Sequence, residues 1–379
     1  MEVIYAVAAP LAKGGIGNLA YQAIRAIDKH NYLKKVITID RNKVGLHKDK
    51  IINIFYPKRI RLPYLDAKRW YYLRNLYFDY RVRNLLEVGC DIFHGWNSQS
   101  LYSLKEAKKR GIVTIVERSS SHILTQMELI KEEYKTYGIK LKPELNIVIE
   151  RCLKEYEIAD YTSVPSRFVY DSFLKRGFDR KKLIFIPLGV DTERYRPGEK
   201  RDKIFRILFM GQISLRKGVQ YLLKAFSELK LRNAELLLVG GVGKDIKKIF
   251  DKYRKRIVLK HIPWSDDLEN ICHQSSIFVF PSIEEGSALV NYIAMACGLP
   301  VITTFNSGSP VRDGEDGFII PIRDVEVLKE KILYFYERPQ EIKAMGASAR
   351  EEIENYTWER YGEKLIKAYE RIYQKKGKG

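Results

Sequence analysis

One pattern constrains this chain more than any other: short apolar runs alternate with amphipathic stretches, stop, and begin again. VIYAVAAP (3–10), KKVITID (34–40), DIFHGW (91–96), IVTIVER (112–118) and YTSVPS (161–166) read as strands buried on both faces. Segments such as NLAYQAIRAIDK (18–29) and SLKEAKKRG (103–111) separate them at helical spacing. KLIFIPLGVD (182–191) closes this half, and the polar stretch TERYRPGEKRDK (192–203) reads as a linker. The alternation then restarts with FRILFMG (205–211), AELLLVGG (234–241), IVLKHIP (257–263), SIFVFPS (276–282) and LPVITT (299–304). A last amphipathic helix is expected over 358–376, ending in a basic tail, and no short fixed repeat is present. An α/β chain of two Rossmann-like domains follows, 1–188 and 189–357. A ligand is expected between the carboxyl ends of their strands.

At 379 residues the chain exceeds one ordinary core, and its net charge of +20 is the strongest compositional signal. That charge points to a polyanion: nucleic acid, an anionic membrane surface or phosphorylated small molecules. No run of about 18 apolar residues announces a spanning helix. The apolar start goes straight into a glycine loop and reads as a buried strand rather than a leader. Cys90, Cys152, Cys272 and Cys297 are scattered without metal-ligand spacing, which suits a reducing cytoplasm.

Three segments carry candidate chemistry. In KGGIG, Gly14, Gly15 and Gly17 sit between the first strand and first helix and allow a phosphate or sugar to approach the helix amino end; a plain turn reads equally well. In GQISLRKG (211–218), Arg216 and Lys217 stand at a helix amino end, where the macrodipole disfavours cations. A bound diphosphate shared with the backbone explains them better than a solvated turn. In EEGSALVNYIAMACGLP (284–300), Glu284 and Glu285 arrive at a strand's carboxyl end. A carboxylate there accepts from sugar hydroxyls, and amides after Gly286 donate to oxygens; simple capping is the bland alternative.

FPSIEEGSALVNYIAMACGLPVITT, with NSGSPVRDGEDGFIIPIRD behind it, resembles the donor-site signature of the retaining glycosyltransferases of family 4. KGGIG, GQISLRKG and VPSRFVYDSFLKRGF…IFIPLGVDTERYRP (164–197) extend the resemblance over nearly the whole chain. The resemblance implies the GT-B fold, a nucleotide-diphosphate-sugar as co-substrate in the interdomain cleft, no cofactor and no metal. It also implies a final helix over 358–376 that crosses back to the first domain. Lys217, with Arg216 beside it, matches the lysine on the donor diphosphate, while Gln212 stands where the family often has an arginine. Glu285 matches the glutamate facing the sugar, and Gly286, Ser287, Ala288 and Leu289 match the loop whose amides face sugar and phosphate. Ile293 occupies the place of the second glutamate, so one ribose contact is lost, worth about 1–3 kcal/mol.

In the first half, His122 matches the family histidine near the anomeric centre, against the bland reading of a structural histidine. His94, Trp96 and Asn97 are placed on the acceptor side, and His261 and Trp264 near the base-binding loop. The stretch 57–84 holds eight basic and two acidic residues among aromatics. It reads either as a surface for a lipid-linked acceptor at the inner membrane face or as a solvated helix face. The expected partners are a nucleotide-sugar donor and a saccharide or lipid-linked acceptor, rather than nucleic acid. Two rivals remain: a GT-B sugar-nucleotide epimerase, and a non-catalytic nucleotide-sugar or polyanion-binding protein, which Ile293 and Gln212 favour.

Overall fold

The computed structural model describes residues 1–39, 45–55, 67–139 and 145–376. The first half runs β1 (Val3–Ala6), α1 (Gly14–Lys29), β2 (Leu33–Thr38), β3 (Ile51–Asn53), α2 (Ala67–Asn84), β4 (Ile92–Trp96), α3 (Leu101–Lys109), β5 (Val113–Glu117), α4 (Ile123–Thr136), α5 (Leu145–Ile158), β6 (Tyr161–Val164), α6 (Arg167–Leu174) and β7 (Leu183–Phe185). The second runs β8 (Phe205–Met210), α7 (Val219–Leu229), β9 (Ala234–Val239), α8 (Lys247–Arg254), β10 (Leu259–Ile262), α9 (Leu268–His273), β11 (Ile277–Phe280), α10 (Leu289–Ala296), β12 (Val301–Thr304) and β13 (Gly317–Ile320). Helices α11 (Val325–Glu337), α12 (Pro339–Ile353) and α13 (Trp358–Lys376) end the chain.

The strands form two parallel sheets, ordered β3-β2-β1-β4-β5-β6-β7 and β10-β9-β8-β11-β12-β13. Along β1 and the residues after it the side chains alternate. Val3, Tyr5 and Val7 enter one core, and Ile4, Ala6 and Ala8 the other, so both faces need helices. In each sheet the order reverses once, at β1/β4 and at β8/β11. Such a reversal opens a crevice at the carboxyl ends. The motif segments KGGIG, GWNS, QISLRK and EEGS lie at or just beyond the carboxyl ends of those four strands. Topology thus gathers the motifs at one place.

Two chain crossings join the halves, and they pair: Val190 N donates to Tyr356 O at 2.8 Å and Val190 bridges Thr357. Beyond the second crossing α13 returns to α1. Tyr361, Leu365, Ile366, Tyr369 and Ile372 form its buried stripe. The Tyr369 hydroxyl lies 2.5 Å from His94 Nδ1, and Tyr32 donates to Glu370 at 3.0 Å. The expected helix over 358–376 is therefore present and crosses back.

Some readings shift. Of KLIFIPLGVD (182–191), the run that closes the first half, only Leu183–Phe185 pairs in the sheet, because the chain then leaves it for the crossing. The glycines of KGGIG, expected as a loop, form the first turn of α1 itself. Of the basic stretch 57–84, residues 57–66 lie outside the described residues, and the rest is α2. That helix buries Phe78 and Val82 and exposes Tyr71, Leu73, Tyr77 and Tyr80.

Candidate donor site between the two sheets

A cavity of about 390 Å³ lies between the halves. The first half contributes Gly15, Ile16, Asn18, Leu19, Trp96, Ser119, Ser120, Pro165 and Leu188; the second contributes Arg216, Lys217, Glu285 and the run Ser287–Val290, with Trp358 at the return crossing. Two helix amino ends open on it, those of α1 and α10. Neither has a side-chain cap, whereas Ser166 caps α6 and Asp324 caps α11. Uncapped first-turn amides beside a cavity suit an anionic ligand.

Charge at the site comes from two adjacent strand ends. Gly218 caps α7 at φ +70°, and a Cβ there would lie 1.8 Å from Pro281 O, so only glycine lets this turn press against the end of β11. The resulting approach puts Lys217 Nζ 2.7 Å from Glu285 Oε1 and 4.9 Å from the Phe280 ring centroid. Arg216 reaches Glu285 at 2.9 Å and Glu284 at 3.1 Å. Burial pushes the Glu285 carboxyl upward, but Lys217 and Arg216 outweigh it and hold it below its ordinary value. An ionised acceptor and two cations therefore share one wall of the cavity.

The two glutamates share Arg216 but differ in their other partners. Glu284 is fully buried and accepts from Ser121 N at 3.0 Å, Ser121 Oγ at 2.8 Å and Gln126 Nε2 at 3.0 Å, all from the first half. It is a tie between halves, and the sequence reading gave it no such role. Gly286 belongs to the same seam. Its carbonyl accepts from Ser166 Oγ, and a Cβ on it would fall 1.7 Å from Ser119 O. Glu133 on α4 makes a second tie, accepting from Gln220 Nε2, Tyr221 Oη and Arg323 Nε at 2.7–2.8 Å.

Several expected site residues are not brought to the cavity. His122 is 2% exposed and caps α4 by accepting from Leu124 N. It is ringed by Tyr156, Phe173 and Phe178, whose ring centroids lie 4.9–6.0 Å away. Burial first, then Arg118 and Arg176, pushes its pKa down to about 4. His94 is buried between Tyr369 and Glu117. Asn97 is spent on Glu155, Arg118 and Tyr156. Of the three acceptor-side expectations only Trp96 lines the cavity, its indole N–H donating to Tyr5 Oη at 2.9 Å.

Gly15 lines the cavity, while Gly14 and Gly17 do not; Gly17 presses on the Pro10 carbonyl. The Ala288 amide is engaged by Ser307 O at 2.9 Å and is not free for a ligand. Ile293, one turn beyond Leu289, is 6% exposed and belongs to the core rather than the cavity. His261 bonds Gly240 O at 2.8 Å, and Trp264 is exposed and does not line the cavity. The cavity residues that sequence reasoning missed include Asn18, Ser119, Ser120 and Trp358. The serines had a signal, the SSS run directly after a strand end.

Residues 13–194 match the family model described as Glycosyltransferase Family 4, and residues 191–352 match Glycosyl transferases group 1. Among curated proteins, the chain is 26% identical over 219 residues to D-inositol 3-phosphate glycosyltransferase of Rhodococcus jostii, covering 51% of this chain and 48% of that protein. The match thus spans about half the length of that relative. Among solved structures, sucrose-phosphate synthase from Thermosynechococcus elongatus superposes with a TM-score of 0.76 at 18% identity, covering 99% of this chain and 100% of that one. Anabaena HepE in complex with UDP-glucose gives 0.70 at 13%, covering 98% and 100%. Both share the architecture of two facing parallel-sheet halves, the GT-B fold. The two family models meet in the stretch joining the sheets and between them take in every motif loop of the cavity, so the chain belongs to the group 1 glycosyltransferases of family 4.

Proposed function

We propose that this protein moves a sugar from a nucleotide-diphosphate-sugar to an acceptor hydroxyl, with retention at the anomeric carbon and without a metal. One observation carries the reading: two cations, an ionised carboxylate and two uncapped helix amino ends converge on one interdomain cavity. A diphosphate leaving group develops negative charge as the glycosidic bond breaks. Lys217 and Arg216 stabilise that charge, as preorganised donors do in a shielded site. They take the place of a bound cation in this account. Glu285 accepts from sugar hydroxyls. The acceptor hydroxyl attacks the face the phosphate leaves, its oxygen bonding to the anomeric carbon while its proton passes to the departing phosphate oxygen.

HepE was crystallised with UDP-glucose, which makes a uridine donor the first to test here. For the acceptor we favour a saccharide or lipid-linked hydroxyl in polysaccharide, glycolipid or glycan synthesis on the cytoplasmic side. The outer side of α2, with exposed Tyr71, Leu73, Tyr77 and Tyr80 beside Arg81 and Arg83, suits an anionic membrane surface better than nucleic acid. Among the described residues no helix is long and apolar enough to cross a membrane.

A thermal-shift panel of nucleotide-sugars, followed by product analysis in the presence of EDTA, tests the proposal. A donor that raises the melting temperature and is transferred with its anomeric configuration kept supports it. Isomerised sugar nucleotide without acceptor would favour the epimerase. Donor binding with neither transfer nor hydrolysis would favour the non-catalytic reading that Gln212 and Ile293 suggest.

A further inference from the structure

A second cavity, about 680 Å³, opens at the β7 edge of the first sheet, between α6 and α13, and shares no lining residue with the donor cavity. Five of its lining residues are cations: Arg167, Arg180, Lys364, Lys367 and Arg371. Among the described residues none of its lining is a carboxylate. Arg167 pairs with Asp171 at 2.8 Å. Among the described residues no ion pair engages the other four. The floor is apolar, from Leu183 and Ile184, and Phe185 stands at its edge 46% exposed.

Helix α13 shows how this charge is sorted. At 3.6 residues per turn, Lys364, Lys367, Arg371 and Lys375 fall along one line, while Glu359, Glu363 and Glu370 fall along another. Tyr32, just past α1, holds Glu370, so the acidic line faces that side, and Lys364, Lys367 and Arg371 of the cationic line are left to the groove. Like charges one turn apart destabilise a helix, and a merely solvated face would interleave the two signs. The line from Lys364 to Arg371 runs about 10 Å, too long for one phosphate to satisfy.

We propose that this groove binds clustered phosphate groups, supplied either by a free oligophosphate or by the headgroups of an anionic lipid surface. Phosphate oxygens would take the cations, and Phe185 with Tyr170 would supply the apolar margin that interfacial sites use.

The full chain, a K364Q/K367Q/R371Q variant and a control K248Q/R254Q/K255Q on exposed α8 and its exit would be titrated with sodium tripolyphosphate. The same proteins would be floated with phosphatidylglycerol or phosphatidylcholine vesicles. The groove variant should bind at least about tenfold more weakly than wild type and the control, to tripolyphosphate if the source is free and to phosphatidylglycerol vesicles if it is lipid. An Arg180→Glu variant, on a different element, should show the same loss, which a local defect in α13 would not produce. Wild type binding neither probe, or groove and control variants losing equally, would overturn the proposal.

Discussion

Lys217 and Glu285 meet at 2.7 Å because neighbouring strand ends deliver them, and although burial pushes the Glu285 carboxyl upward, Lys217 and Arg216 together hold it below its ordinary value. His122 is the opposite case, an ionisable group kept neutral. Its folded pKa is about 4, against about 6.5 unfolded. The unfolded chain therefore takes up the proton first. The stability that the neutral ring brings is complete above about pH 6.5 and is lost as pH falls toward 4. Relative to His122→Asn, wild type should lose about 2 kcal/mol of unfolding free energy between pH 7.5 and 5. Denaturant titrations at the two pH values check this, and a pH-independent difference would place the ring in water. Position 293 gives a second test. Ile293 is in the core, so Ile293→Glu would bury a carboxylate without partners rather than restore a ribose contact. Roughly 2–4 kcal/mol of stability should be lost at pH 7, less at pH 5 where the side chain enters protonated. Calorimetry should show no tighter donor binding. Tighter binding with unchanged melting would put residue 293 at the ligand after all.

Strand ends and helix starts do most of the positioning at the next scale. The loops were legible because glycines and charges interrupt apolar runs at the two sheet reversals, a signal that needs no partner. The ties were not legible: Glu284 finds Ser121 163 residues away, and nothing in two adjacent glutamates tells which of them will bond to the first half. His122 was misplaced because its position after a strand says nothing of its direction. At the helix cap the ring turns inward to Tyr156 and Phe173. Strands β3 and β13 escaped because IIN and GFII are too short to stand out as apolar runs. Gly286 tests the seam itself. Gly286→Ala would drive a methyl into the Ser119 carbonyl, with backbone on both sides and nothing flexible to yield. The halves must part slightly, so turnover should fall at least about tenfold while each sheet keeps its fold. Steady-state kinetics and small-angle scattering together check this; wild-type turnover at unchanged dimensions would refute the close approach.

Over the whole molecule, the paired crossings at Val190 and Thr357 and the return of α13 onto α1 make the cleft a product of both halves, with Trp358 reaching the cavity from the return crossing. The outward line of cations on α13 and the inward pair Arg216 and Lys217 lie at separate sites, so charge serves two places in one chain. The central claim is that the inward pair carries the leaving diphosphate. The direct measurement is the turnover of Lys217→Ala with the nucleotide-sugar that wild type transfers. A loss of about 10²–10³ in kcat is predicted, because one preorganised cation is removed where charge develops. A kcat within twofold of wild type would contradict the account.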